Sequence, residues 1–261
     1  MKNGKSNISL CSLASGSVGN SIYIENTTAK ILIDAGLSGV EIERRMESKS
    51  LTFDDMKGIV ISHEHNDHLM GAAILSRRFD IPLYMSRLTY QRVAHKIGEV
   101  KNLKIFEPGV SFYIGDFEVH PFQISHDAVD PVGFSVTYKD SKVGIATDLG
   151  IATGMVKTHL KDSNMLFIEA NHDPEMLING SYPWSLKQRI RSRHGHLSNF
   201  DTRELLVDLK HENLRNVVLG HLSEENNTPD KVLETCGDVF NIDKTSIHLA
   251  LQSGAGDLIE V

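Results

Sequence analysis

The stretch from Ile59 to Gly71, I-V-I-S-H-E-H-N-D-H-L-M-G, constrains this chain more than any other part of it. Ile59, Val60 and Ile61 form the short apolar run of a buried strand, and the residues from Leu69 onward fit a helix. His63, His65, Asp67 and His68 are therefore expected on the connecting loop, where neighbouring side chains can converge. Three imidazoles so close together have little use in a core, where each ring needs its own hydrogen-bond partner. Neutral imidazole and carboxylate together suit a divalent first-row ion. A solvated loop that happens to be rich in histidine is the plain alternative, and it calls for no partner residues elsewhere.

At 261 residues the chain can bury a sizeable core, as one large domain or two small ones. Its 40 % hydrophobic and 23 % charged content is ordinary for a globular protein and argues against disorder. No apolar run approaches the roughly 18 residues of a membrane span. The first ten residues lack the continuous apolar stretch of a signal peptide, so a cytoplasmic protein with no membrane partner is expected. Cys11 and Cys236 stand far apart in no metal-type spacing and read as small core residues. The net charge of −7 gives no global attraction for nucleic acid, so any phosphate binding has to be local. One local basic run exists, Lys187, Arg189, Arg191 and Arg193 in S-L-K-Q-R-I-R-S-R-H-G-H, and by itself it reads first as a solvated helix face.

Taken in order, the chain opens with a strand over 8–14, then a glycine-rich loop from Ser15 to Ser21 that reads as a hairpin turn before a strand over 22–25. The loop offers backbone N–H groups to an anion but lacks the lysine and following helix of a P-loop. A strand over 30–33 ends in Asp34, which either braces the metal loop by hydrogen bonding or simply starts a turn. Helices follow over 38–48, capped by Ser38, over 69–79, and to about residue 97 after Ser86, with strands over 58–62 and 82–85 between them. Runs at 103–106, 110–114, 117–124, 133–139 and 142–147 read as one antiparallel set. His126 and Asp148 each stand where a strand gives way to loop. A helix follows Gly154, then a strand over 164–168 running into Glu169, and a helix over 199–210 capped by Asp201 or Asn199. A strand over 216–219 ends in Gly220 and His221. A helix over 228–240 and strands over 246–250 and 257–261 complete a pattern of two sheets with helices outside, read as a single domain over residues 1–261.

H-E-H-N-D-H resembles the HxHxDH signature of the metallo-β-lactamase superfamily, and His126, Asp148 and His221 follow in the order of its remaining metal motifs. S-L-A-S-G-S-V-G-N-S, L-I-D-A-G, I-E-A-N-H-D-P-E-M-L, R-H-G-H-L-S-N and L-G-H-L-S-E-E-N-N-T-P are similar to the YycJ/WalJ branch of that superfamily over almost the whole chain. The resemblance implies an α/β fold, a four-layer αββα sandwich, and a dinuclear metal-dependent hydrolase. His63, His65 and His126 would hold one divalent ion and Asp67, His68 and His221 a second, with Asp148 bridging. Such a pair, Zn2+ or Mn2+, activates a shared water as hydroxide near neutral pH. His196 resembles the non-ligand histidine that RNase Z-like members place near the scissile phosphate, and Glu169 the carboxylate that orients it, which with Asp67 makes the implied catalytic set. An alternative for His196 is to cap the helix that follows it. The basic run Lys187, Arg189, Arg191 and Arg193 then gains weight as phosphate contacts, and Ser15, Asn20 and Asn226 are candidate substrate-binding residues at the entrance.

Only 21 residues separate His126 from Asp148 and 72 separate Asp148 from His221. Neither the tRNA-binding arm of RNase Z nor the inserted domain of the β-CASP nucleases fits. The branch implies a 5′ to 3′ exonuclease on double-stranded DNA, with a nucleic acid partner that is DNA rather than RNA, in DNA repair or cell-wall-linked regulation. The rivals are a small-molecule hydrolase of the same fold, acting on a cyclic phosphodiester or thioester in a narrow closed pocket, and a regulatory binding protein without turnover. Of the other histidines, only His172 in E-A-N-H-D is singled out.

Overall fold

The computed structural model describes residues 8–240 and 244–261. Strands β1 (Ser9–Ala14), β2 (Ser21–Glu25) and β3 (Lys30–Ile33) form an antiparallel meander. Helix α1 (Gly39–Ser48) leads to β4 (Met56–Val60), and the short α2 (Asn66–Leu69) and α3 (Ala72–Phe79) lead to β5 (Leu83–Ser86). Helix α4 (Arg87–Ile97) returns the chain to β6 (Leu103–Phe106), and β3 to β6 run parallel. A second antiparallel group follows in β7 (Phe112–Ile114), β8 (Phe117–Gln123), β9 (Val132–Tyr138) and β10 (Ser141–Ala146). The rest comprises α5 (Gly154–Leu160), β11 (Met165–Glu169), α6 (Pro174–Asn179), α7 (Trp184–Ile190), α8 (Asn199–Leu209), β12 (Asn216–Gly220), α9 (Pro229–Cys236), β13 (Ser246–Leu249) and β14 (Ile259–Glu260).

Two seven-stranded sheets result, ordered β14-β1-β2-β3-β4-β5-β6 and β13-β12-β11-β10-β9-β8-β7. Leu10, Ile24 and Ile33 of the first sheet pack on Phe134, Val136 and Phe167 of the second. The alternate residues Cys11, Tyr23 and Leu32 point the other way, onto Ile42, Met46, Leu75 and Val93 of α1, α3 and α4. Leu166 and Leu219 likewise meet Val156, Leu205 and Val232 of α5, α8 and α9. Each sheet is thus covered on both faces, which is why the central strands read as near-continuous apolar runs. This is the expected αββα sandwich, and both cysteines are buried in its core as free thiols.

Local differences from the sequence reading have physical causes. The 103–106 strand does not join the antiparallel set: carried back by α4, it pairs parallel with β5 at the edge of the first sheet. Asp67 and His68 lie on the helical turn α2 rather than on loop, while His63 and His65 precede it. The expected helix over 69–79 is broken at Gly71 because that residue passes against the β3–α1 connection, where a Cβ would come within 2.4 Å of the Leu37 carbonyl oxygen. The cap of α8 is Ser198, in a reciprocal capping box with Asp201, rather than Asp201 or Asn199. The last long helix stops at Cys236 and tightens into a 3-10 turn over Gly237–Phe240.

Candidate metal centre

The centre forms at the carboxyl ends of the strands, the usual place for a site in an open α/β sheet. His63 follows β4, His126 follows β8, Asp148 lies two residues beyond β10, and Glu169 is the last residue of β11. Asp34 and His221 directly follow β3 and β12. Asp34, Asp148 and His221 have φ of 62°, 55° and 55°, in the left-handed region that non-glycine residues rarely enter. The strained backbone turns each side chain sharply from strand direction into the site.

His63 Nε2 is 3.0 Å from His65 Nδ1, which is 3.4 Å from His126 Nε2. His68 Nε2 lies 3.1 Å from Asp148 Oδ2 and 3.4 Å from Asp67 Oδ2, and His221 Nδ1 lies 3.3 Å from Asp148 Oδ2. The other oxygen of Asp148 is 3.7 Å from His126 Nε2, so this carboxylate offers one oxygen to each side of the cluster. Three overlapping donor groups emerge: His63 with His65 and His126, His63 with His68 and Asp148, and Asp148 with His196 and His221.

The donors suit metal ions. Asp148 Oδ2 and His221 Nδ1 are buried 3.3 Å apart without a well-directed hydrogen bond, a costly arrangement unless something else satisfies them. Burial opposes ionisation of Asp148, but His221 and His68 hold its carboxyl well below the usual range. Burial also pushes His63 and His126 down, keeping both imidazoles neutral. At His68 and His221 the Asp148 carboxylate outweighs burial and raises both, His221 to about 9, so these two give up a proton when an ion binds. Ionised carboxylate and neutral imidazole are the ligand forms.

An outer layer fixes these groups. Asp34 Oδ2 accepts from His68 Nδ1 at 2.7 Å, so the other ring nitrogen faces Asp148. Ser62 secures Asp34 in turn, its N–H donating to Oδ1 and its hydroxyl to Oδ2, both at 2.8 Å. The bracing reading of Asp34 therefore holds. L-I-D-A-G also needs its glycine: a Cβ on Gly36 would fall 1.6 Å from the Asp67 carbonyl oxygen. That carbonyl accepts from Asn20 N–H at 2.7 Å, and the His68 carbonyl accepts from Ala35 N–H at 2.8 Å.

Of the residues expected to touch substrate, several are structural instead. Ser15 is buried and its hydroxyl accepts from the His221 N–H at 2.7 Å. Asn20 is buried, with Nδ2 3.3 Å from Asp67 Oδ2 and 3.0 Å from His68 Nε2. Asn226 and Asn227 are buried as well, Asn227 donating to the carbonyls of Ala170 and Asn171. Lys187 points inward, its Nζ donating to the carbonyls of Ile178 and Gly180 at 2.8 and 2.7 Å, so it is not available to a phosphate. Arg189 is exposed and paired with Asp127 at 3.0 Å. Arg191 and Arg193 line a cleft of about 500 Å³ beside His196 and Lys157. A second cleft, about 560 Å³, lies beside His65 and brings Arg92 and Lys96 of α4 next to Arg189. Nothing in the sequence pointed to Arg92 or Lys96, since the fold alone carries α4 to the site.

His196 does not cap α8. Its Nδ1 contacts Glu169 Oε1 at 2.6 Å, and Glu169 is fully buried, its Oε2 accepting from the Leu149 N–H at 2.7 Å. The His196 ring is 5.2 Å from that of His221 and 5.4 Å from that of His126. His172 is buried and held down at about 4 by desolvation.

This fold, with its buried cluster of imidazole and carboxylate donors, defines a metal-dependent hydrolase. A family model described as Beta-lactamase superfamily domain matches residues 29–222. The chain is 38% identical over 217 residues to a Bacillus anthracis protein named exodeoxyribonuclease YycJ, covering 82% of each chain. It is 39% identical over 219 residues to a Streptococcus pneumoniae protein named exodeoxyribonuclease WalJ, covering 82% of this chain and 81% of that one. Among solved structures, the metallo-β-lactamase-fold protein YhfI of Bacillus subtilis superposes with a TM-score of 0.75 at 14% identity, over 98% of this chain and 100% of that one. The chain belongs to the YycJ/WalJ family of the metallo-β-lactamase superfamily.

Proposed function

We propose that this protein is a nuclease, a 5′ to 3′ exonuclease acting on double-stranded DNA in the cytoplasm, built as one metallo-β-lactamase-like domain over residues 1–261. The observation that carries the reading is His196, held by the buried Glu169 at the rim of the donor cluster and flanked by two clefts that bear cations. Kinship with proteins named exodeoxyribonucleases supports DNA as the substrate. Two divalent ions, Zn2+ or Mn2+, would be held by His63, His65 and His126 on one side and by Asp67, His68 and His221 on the other, with Asp148 between. Once bound, they supply a low-pKa water and polarise a phosphoryl oxygen.

The chain's own residues supply the rest. Glu169 accepts from His196 Nδ1 and fixes the ring, so that Nε2, when it carries a proton, can give it to the leaving oxygen. General acid catalysis of this kind contributes roughly 10²- to 10⁴-fold. Asp34, Ser62 and Asn20 keep the donors from rotating. Arg191 and Arg193 on one flank, and Arg92, Lys96 and Arg189 on the other, take backbone phosphates, which positions a strand without reading its sequence.

A small-molecule hydrolase needs only a narrow closed pocket, whereas wide clefts beside His65 and beside His196 adjoin this centre in addition to a small cavity, which supports a polymeric substrate. No helix among the described residues is long and apolar enough to cross a membrane. Incubating metal-loaded protein with linear duplex labelled at either 5′ or 3′ ends is the test. Release of labelled mononucleotide first from the 5′ end is expected, and absence of any nucleotide release would overturn the reading.

A further inference from the structure

A smaller cavity, about 210 Å³, shares Arg189 with one of the two wide clefts and His196 with the other, and is lined by the donors His126 and His221. One side of its wall is apolar, made by Tyr182, Leu186 and Ile190, while Asn171, Arg189, His194 and Ser223 are among the residues that line the rest. The three apolar residues belong to α7 and the turn before it, and α7 departs from an ordinary surface helix at two points. Its lysine, Lys187, is buried with the ammonium on two carbonyls, while Leu186 and Ile190 are left half-exposed and Trp184 is 59 % exposed. A surface helix normally hides its apolar stripe and solvates its cations. Here the apolar stripe faces the reacting centre.

We propose that this cavity is a subsite for a single nucleobase, that of the nucleotide next to the scissile phosphate, with Tyr182 as the face on which it stacks. The inference rests on the nuclease reading and adds how the substrate end is held. At about 210 Å³ the cavity is smaller than the roughly 300–1,000 Å³ of pockets that enclose a whole drug-sized ligand. One flat ring system fits and a base pair does not. The terminal nucleotide of a duplex is therefore unpaired and unstacked before it reaches the centre, at a cost recovered in part by stacking on the new surface. The arginines and lysines of the two wide clefts are placed for phosphates, and the Tyr182, Leu186 and Ile190 side of the small cavity is placed for the base. Stacking on Tyr182 is open to any base, since every base has a flat face.

Equilibrium binding of deoxyadenosine monophosphate, followed through the fluorescence of Trp184, the only tryptophan of the chain, tests this without turnover. The comparison ligand is 2-deoxyribose 5-phosphate, which keeps the phosphate and lacks the base. Wild-type protein is expected to bind the nucleotide roughly 10-fold more tightly than the sugar phosphate, as one stacked base implies. Tyr182→Ala is expected to erase that difference and leave sugar phosphate binding unchanged, and Tyr182→Phe to restore it. Equal affinity for the two ligands in wild-type protein, or no nucleotide binding, would overturn the subsite. So would a Tyr182→Ala variant that weakens both ligands equally. Failure of the nuclease assay with base-dependent binding intact would instead count against the nuclease reading.

Discussion

His196 Nδ1 stands 2.6 Å from Glu169 Oε1, and the carboxylate is completely buried while the histidine's side chain keeps 21 % of its surface open to solvent. The pair therefore has a fixed inner end and a reachable outer one. Glu169→Gln keeps the shape of this contact and removes its charge, so the ring is held less firmly. The expected outcome is a fall in kcat of about 10- to 100-fold, a fraction of the full general acid contribution, with KM and metal content unchanged. Steady-state kinetics and metal analysis of the same preparation check it. Loss of metal from this variant would mean that the pair supports the ligands instead.

Asp148 faces both halves of the donor cluster, so a pair of ions held there would both depend on its charge. In wild-type protein, Zn2+ or Mn2+ at about 100 times its dissociation constant adds about 2.7 kcal/mol of stability. Differential scanning fluorimetry with and without each metal, after chelation, is expected to show a rise in Tm for wild type and little or none for Asp148→Asn. Asp34→Asn, which disturbs the bonds to His68 and Ser62 and removes no donor of the cluster, is expected to fall between the two.

Glu41 is held down to about 2 by hydrogen bonds from Arg44 and Arg45. Arg45 passes the constraint on, its Nη1 donating to the carbonyls of Leu13 and Gln252, while the Gln252 side chain accepts from Val18 N–H in the loop that carries Ser15 and Asn20. A carboxylate with a depressed folded-state pKa contributes stability above its unfolded value of about 4.3 and loses it as pH falls toward 2. Partial exposure limits the contribution to about 1 kcal/mol. Glu41→Gln is expected to lower Tm at pH 7, with the gap to wild type narrowing between pH 5 and pH 3. Thermal melts across that range check both the size and the sign.

The donors were legible in the sequence because metal ligands are rare residue types in recognisable spacings, and because His126, Asp148 and His221 stand at the ends of clear apolar runs. Asp34 was legible for the same reason. The boundary between ligand and brace was not: Ser15 and Asn20 look like solvent-facing loop residues, yet they are buried against His221, Asp67 and His68. Lys187 misled because charge pattern suggests a solvated face, whereas its ammonium satisfies two carbonyls near the end of α6. The strand over 103–106 was assigned to the wrong sheet because local periodicity is silent on which neighbour an edge strand pairs with. Arg92, Lys96 and Tyr182 carry no motif, and only the packing brings them to the centre.

The central claim is that the metal donors and the proton donor are separate groups. The most direct test measures bound metal and nucleotide release from linear duplex DNA on the same preparations of wild type and His196→Asn. Expected is equal metal content in the two proteins, two ions per chain, with nucleotide release reduced roughly 10²- to 10⁴-fold in the variant. A variant that loses an ion would contradict the separation and make His196 a ligand, in the group it forms with Asp148 and His221. One that keeps both ions and cleaves like wild type would remove its role in proton transfer.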